Sequence, residues 1–363
     1  MTTSKPSRSL PNPHLDNLKT ILSVGTPLLD VRAEIEFVQG ALPSSINLPI
    51  LNTQERQKVG TTYTNEGSEE AKRVGHALVS GEIKRTRVDA WKQFCQAHPN
   101  AWLTCWRGGM RSQIAQQWLA DSGIAIERVP GGYKALRQAC INVLESDYQA
   151  KSWTVLAGKT GSAKTVLINR IDAAIDLEGA ANHRGSAFGA FATPQPTPAT
   201  FENGLAVKFL QIAGDRLVVE DESRTIGRLA LPGTWYNVMQ TAPLVVVELS
   251  LEDRVAHIRQ EYVSLPLSQG TAVESLLEGY SNALQRIAKR LGGQRCRRIT
   301  NLLSEGFAGT RQHDDWITAL ITDYYDPMYE FQLGKKKSRI AMRGDHHAVI
   351  EYFSDRGHAV APP

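Results

Sequence analysis

The chain has 363 residues and 42% hydrophobic composition. That is too long for one ordinary core and long enough for two, at about 100–200 residues per domain. The net charge of +4 neither marks nor excludes a nucleic-acid binder, because a local basic stripe matters more than the sum. Cys95, Cys105, Cys140 and Cys296 are widely spaced and form no C-x-x-C pair, which argues against a zinc site and a disulfide framework. Met1 to Thr20 holds no apolar segment of leader length, and no run of about 18 apolar residues follows. A cytoplasmic protein without membrane attachment is expected.

In the first half, apolar runs at 27–31, 101–105 and 124–129 read as strands and 113–122 reads as a helix, a pattern that predicts a parallel sheet with crossover helices. A second series of strands is expected at 153–157, 216–219 and 243–249. The expected division is therefore a first domain over 1–140, a linker over 141–152 and a second domain over 153–363. Residues 190–200, with Pro194, Pro196 and Pro198, read as an extended and mobile loop. From Gln269 onward the sequence turns helical and more basic, which suggests a helical extension on the second domain.

The strand ending at Cys105 runs through Trp-Arg-Gly-Gly-Met directly into Arg111 and Ser112. A cysteine at the carboxyl end of a parallel strand, before a glycine-bearing turn into a helix, faces backbone N–H donors and the positive end of a helix dipole. Those groups favour thiolate and can cradle an oxyanion. Gly108 and Gly109 permit the tight curl, and Arg107 and Arg111 offer guanidinium groups. Leu28-Leu-Asp-Val-Arg32, Gly40-Ala-Leu-Pro-Ser-Ser-Ile-Asn-Leu-Pro49, this loop and Pro130-Gly-Gly-Tyr133 together resemble the signatures of a rhodanese domain. The resemblance implies a structural pair at Asp30 and Arg32 and a cysteine that carries sulfur or selenium. Sulfurtransferases commonly read C-x-x-G-x-R-S, whereas here Arg111 and Ser112 come one residue later, and the Cys105-to-Arg111 spacing matches the C-x-x-x-x-x-R of related phosphatases. Two readings stay open: a cradle for a phosphate-bearing donor, or a phosphatase.

After an apolar stretch ending at Ala157, Gly158-Lys-Thr-Gly-Ser-Ala-Lys164-Thr165 resembles a Walker A loop, with Ala163 where its second glycine belongs. Backbone N–H groups around Gly158, Gly161 and Ser162 would surround phosphate oxygens, Lys164 supply charge and Thr165 a hydroxyl for magnesium. Asp221 and Glu222, at the end of a later apolar run, are the candidate magnesium carboxylates, with Ser223 and Arg224 beside them. His183, Arg184 and Ser186 lie in a glycine-bearing loop suited to anion contacts. Arg286, Lys289, Arg290, Arg295, Arg297 and Arg298 follow one another without an acid among them, which favours RNA phosphate contacts. Lys335 to Arg339 is a second basic cluster, for which RNA and plain solvent are equal readings. Tyr324, Tyr325 and Tyr329 have the chemistry to stack on a base but read first as core.

The stretches Ile175 to Gly189, Phe201-Glu-Asn203 and Val219 to Gly227, with the domain order, resemble the bacterial tRNA 2-selenouridine synthase family across essentially the whole chain. The resemblance implies an α/β enzyme of two domains: a rhodanese-like parallel sheet, then a P-loop NTPase-like three-layer α/β domain with a helical C-terminal extension. It implies conversion of wobble 2-thiouridine in tRNA to 2-selenouridine through an S-geranyl intermediate. Geranyl diphosphate and selenophosphate are the co-substrates, magnesium an auxiliary, and Cys105 the residue that receives or shuttles selenium. The competing reading is a rhodanese-like phosphatase or sulfurtransferase fused to an ATP-dependent small-molecule kinase. A non-catalytic carrier of tRNA or selenium is the third reading, disfavoured by the intact Cys105 and Lys164.

Overall fold

The computed structural model describes residues 13–191 and 193–361. Residues 1–12, which hold most of the stretch read as lacking a leader, lie outside the described residues, as does Ala192 of the proline-bearing loop.

Two compact units form. The first comprises residues 1–147 and 197–211 and holds strands β1 (Leu28–Asp30), β2 (Ser45–Asn47), β3 (Trp102–Thr104) and β4 (Glu127–Arg128), in the order β2-β1-β3-β4. Every pairing is parallel. Leu28, Leu29 and Leu103 are fully buried, as strands covered on both faces require. Asp30 and Arg32 form the implied pair, 2.7 Å apart and almost without exposure. Arg32 also donates to the carbonyls of Glu36 and Gly40 and lies 3.7 Å from the centre of the Tyr133 ring. Each of the three guanidinium nitrogens of this buried cation thus has an oxygen acceptor.

The second unit comprises residues 148–196 and 212–363. Its five-stranded parallel sheet contains β5 (Ser152–Gly158), β6 (Ala174–Ile175) and β7 (Arg216–Glu220). A small antiparallel pair, β8 (Thr225–Ile226) and β9 (Leu229–Ala230), stands apart, and β10 (Leu244–Val247) and β11 (Ile340–Gly344) complete the main sheet in the order β11-β10-β5-β7-β6. The region expected to be a helical extension therefore returns a strand to the sheet. Its helices build a second core around Trp316, Ile299, Leu303 and Tyr280.

The division differs from the one expected. Helix Gly132–Glu145 and the turn Asp147–Ala150 occupy most of the anticipated linker. Residues 198–200 of the anticipated loop open helix Pro198–Gln211, which belongs to the first unit. There Asn203 is fully buried, donates to Ala41 O at 2.9 Å and to Tyr133 Oη at 3.2 Å, and accepts from Arg137 at 3.0 Å.

Candidate active sites

The first site sits where β3 ends. Gly108 has φ +65°, and the turn at Gly131–Gly132 approaches so closely that a Cβ on Gly132 would come within 2.3 Å of Cys105 O. Tyr133 N and Lys134 N donate to the carbonyls of Cys105 and Trp106, and Arg128 donates to Gly108 O. These bonds turn the loop carbonyls away from its centre. The backbone N–H groups of Trp106, Arg107, Gly108 and Gly109 donate to no acceptor among the described residues, which leaves donors for an anion. Cys105 is 2% exposed, and its sulfur lies 3.3 Å from Ser112 Oγ. Arg107 is exposed. Arg111 does not reach into the loop as a free fork: it grips Glu36 with bonds of 2.5 and 3.1 Å. Burial pushes the Glu36 carboxyl up, yet Arg111 and Arg56, with the backbone N–H of Ala33, together hold it below the usual range.

The second site sits where β5 ends. Gly158 lies so near Ser162 Oγ that a Cβ would clash at 2.4 Å, and Gly161 takes φ +83° against Arg254 O. Ala163 takes φ +54°, the left-handed conformation that a glycine would accept freely. Arg254 braces the loop, donating to Thr160 O at 2.9 Å while it pairs with Asp326. Ser162 Oγ is buried with no partner among the described residues. Lys164 Nζ rests on Gly158 O at 3.0 Å, and Thr165 donates to Glu220 at 3.1 Å.

This contact adds to the expected carboxylates. Asp221 lines the cleft but is bonded by Lys336 at 2.6 and 2.7 Å, and the acids that accept from Thr165 are Glu220, which also accepts from the backbone of Leu177 and Glu178, and Glu178 itself at 3.4 Å. Glu222 does face the cleft, with Glu178 as its neighbour. A Cβ on Gly185 would lie 2.7 Å from one and 2.8 Å from the other. Burial pushes Glu178, Glu220 and Glu222 up, and their mutual repulsion adds to it. Among the described residues, no group of three or more His, Cys, Asp or Glu side chains could hold a metal ion. The carboxylates therefore fit magnesium only as one or two ligands beside phosphate and water, its usual manner of binding.

The cleft above the phosphate loop measures about 410 Å³. Arg184 and Ser186 line it, and Arg184 is held between Phe191 and Tyr262, 4.3 and 4.6 Å from their ring centres. His183 pairs through its backbone with Ala190 and does not line the cleft, while Arg224 is exposed outside it. Two π-helical segments, Gln260–Ser264 and Ile321–Tyr325, turn Glu261, Tyr262, Tyr324 and Tyr325 toward it. Such segments recur at functional sites. Tyr329 lines the cleft too, so the three tyrosines are wall residues at a site rather than core alone.

Of the first basic cluster, Arg290 lines the cleft and Arg286 donates to Ala187 O at its edge. Lys289, Arg295 and Arg297 are exposed, and Arg298 pairs with Asp323. In the second cluster Lys336 is committed to Asp221 and Arg339 to Met239 O, and Lys335 lies 4.1 Å from the centre of the Phe331 ring, so three of its four cations have structural partners. Sequence reasoning missed Glu178 and Glu220. The signal for Glu220 was the alternation along β7, which determines which of two adjacent acids turns toward the phosphate loop.

A family model described as the tRNA 2-selenouridine synthase AAA domain matches residues 151–359. A protein of Marinobacter nauticus named tRNA 2-selenouridine synthase is 42% identical over 95% of this chain and 98% of its own. Relatives of the same name from Hahella chejuensis, at 46% identity over 93% of each chain, and from Shewanella sediminis, at 43% over 93% of this chain and 96% of its own, extend the likeness. Among the described residues no helix is long and apolar enough to cross a membrane. A likeness that runs nearly end to end through both the cysteine loop and the phosphate loop places the chain, an enzyme, in the tRNA 2-selenouridine synthase family.

Proposed function

We propose that the protein converts wobble 2-thiouridine of tRNA to 2-selenouridine in two steps: S-alkylation by geranyl diphosphate, then displacement of the alkylated sulfur by selenium from selenophosphate. The observation that carries this reading is the pairing of two anion cradles with different surroundings. The phosphate loop opens into a cleft walled by Tyr262, Tyr324, Tyr325 and Met328, which suits a diphosphate with an apolar tail. There Gly158, Gly161, Ser162, Lys164 and Thr165 would bind the leaving diphosphate, Arg184 and Arg290 would add charge, and Thr165 with Glu220 would hold magnesium, which supplies charge neutralisation when bound.

Cys105, in its ring of free N–H groups, serves the selenium step. The phosphatase alternative is disfavoured because Arg111, which would have to fork a phosphate, is forked on Glu36. Lys289, Arg290, Arg295 and Arg297 supply the tRNA contacts, assisted by Arg286 and Arg298 once their present partners are exchanged.

The test uses an anticodon stem-loop bearing 2-thiouridine, geranyl diphosphate and then selenophosphate, with nucleoside masses followed for wild type, Lys164→Ala and Cys105→Ala. Lys164→Ala is expected to lose the geranyl adduct, and Cys105→Ala to accumulate it without selenium. An unchanged mass with wild type would overturn the proposal.

A further inference from the structure

The first unit contains an apolar cavity of about 140 Å³ that the chemistry above leaves without a role. It lies among helices Thr53–Glu66, Ser68–Leu78 and Met110–Ala120, with walls that are almost wholly hydrocarbon from Leu51, Val59, Val79, Ile114 and Trp118. Met110 and Arg111, the last residues of the cysteine loop, form part of its lining. Cys105 is packed in the same buried cluster as Leu51, Val79 and Trp118. The cavity and the cysteine are thus two faces of one apolar cluster.

A gap of this size forfeits dispersion contacts and stays dry when its walls are apolar; one of about 150 Å³ takes a hydrocarbon of benzene size. Gly75, on the wall, leaves it unfilled: a Cβ there would meet nothing nearer than Val59 Cγ2 at 3.8 Å.

We propose that this cavity seats the alkyl chain of the S-alkylated uridine during the exchange step, and briefly the thiol that leaves. The inference rests on the two-step reading above and gives that reading its second apolar subsite, in the unit that carries Cys105. In the exchange the C2–Se bond forms and the C2–S bond breaks, and the sulfur departs with its bonding pair and takes a proton to become an alkanethiol. Water cleaves the Se–P bond to give phosphate, and N3 regains its proton. No atom changes oxidation state, so no oxidant or reductant is needed. The cavity takes the distal end of the chain while the nearer carbons lie along Met110, which is 43% exposed at the loop.

Two stem-loops made chemically with S-geranyl- or S-methyl-2-thiouridine are supplied with selenophosphate, so that the alkylation step is not needed. Burial favours the longer chain by roughly three- to fourfold per methylene. Wild type is expected to prefer the geranyl substrate by about 30-fold or more in kcat/KM, mostly through KM. Gly75→Leu fills the cavity from a helical position where leucine is favoured over glycine, so folding is expected to survive. It is expected to lose at least about tenfold on the geranyl substrate and nothing on the methyl one, with Ala71→Met as a second filler if the first unfolds. A folded Gly75→Leu enzyme with the wild-type preference overturns the inference. If wild type converts neither stem-loop, the exchange reading itself fails. The cavity is then read by geraniol binding: a rise in Tm for wild type but not for Gly75→Leu keeps it as an alkyl-chain site, and no rise for either rejects it.

Discussion

Ala163 shows how one residue can depart from a pattern while keeping its geometry. It stands where the phosphate loop needs left-handed backbone and adopts φ +54°, ψ +38° at a cost a glycine would not bear. Ala163→Gly removes about 1–2 kcal/mol of strain but returns about 0.4–1 kcal/mol of freedom to the unfolded chain. The expected outcome is a gain of up to about 1.6 kcal/mol in urea unfolding, with diphosphate affinity retained. A loss of stability would mean that the Ala163 methyl makes contacts worth more than the strain. The buried pair Asp30–Arg32 behaves oppositely. Arg32→Ala strands the carboxyl of Asp30, which burial already pushes up despite Arg32, and is expected to destabilise the first unit by about 3–5 kcal/mol in the same measurement. Cys105 and Lys164 could be read from sequence because each sits in a contiguous motif whose strand-turn-helix context fixes its direction. Between Glu220 and Asp221 the alternation along β7 carried a signal that decides only once the strand's register is known, since a one-residue slip turns every side chain to the other face.

Elements with strong local patterns, β1, β3, β5, β7 and β10, lie where apolar runs place them. The strands missed were short or at edges: β2 has three residues, β6, β8 and β9 two each, and β11 alternates half-buried with exposed positions, so none shows a long apolar run. Charge on elements leads to two predictions. Glu178, at the start of helix Leu177–Ala181, and Glu220 and Glu222, at the end of β7, all take up protons more readily folded than unfolded. A raised carboxyl makes the folded state the better proton binder above the ordinary glutamate value of 4.5, so stability falls as pH rises from there until the group ionises in the folded state as well. The second unit is therefore expected to melt higher at pH 5.5 than at pH 8. Glu222→Gln should flatten that slope and add on the order of 1 kcal/mol at pH 8. An unaltered slope would assign it to other groups. On helix Gly293–Phe307, Arg295 and Arg297 are exposed and have no ion pair among the described residues. Changing both to alanine should weaken tRNA binding at every salt concentration and lower the slope of log Kd against log salt by about 1–2, whereas a replacement of Lys336, bonded to Asp221, should act on stability.

At the scale of the whole molecule, the two-unit plan was legible but the path of the chain was not. Residues 190–200 read as a loop because prolines dominate, yet the helix that follows them, Pro198–Gln211, completes the other unit. Its apolar residues carry no mark of which core receives them. Phe201, Leu205 and Phe209 are all at most 3% exposed. At about 1.5–3 kcal/mol for each buried side chain, their loss approaches the 5–15 kcal/mol that holds an average domain folded. Asn203 adds three hydrogen bonds to Ala41, Tyr133 and Arg137, and through Tyr133 the helix supports the turn whose N–H groups hold the carbonyls of the cysteine loop. A fragment of residues 1–147 is therefore expected to lack a cooperative melting transition by circular dichroism, even though it holds all four strands and Cys105. The same fragment joined through a flexible Gly-Ser linker to residues 197–211 should regain one. Asn203→Ala in that joined fragment should lower its stability by about 2 kcal/mol, since the partners it leaves are buried. If residues 1–147 alone melt as sharply as the joined fragment, helix Pro198–Gln211 is a passenger on the first unit, and the support of the cysteine loop lies wholly within residues 1–147.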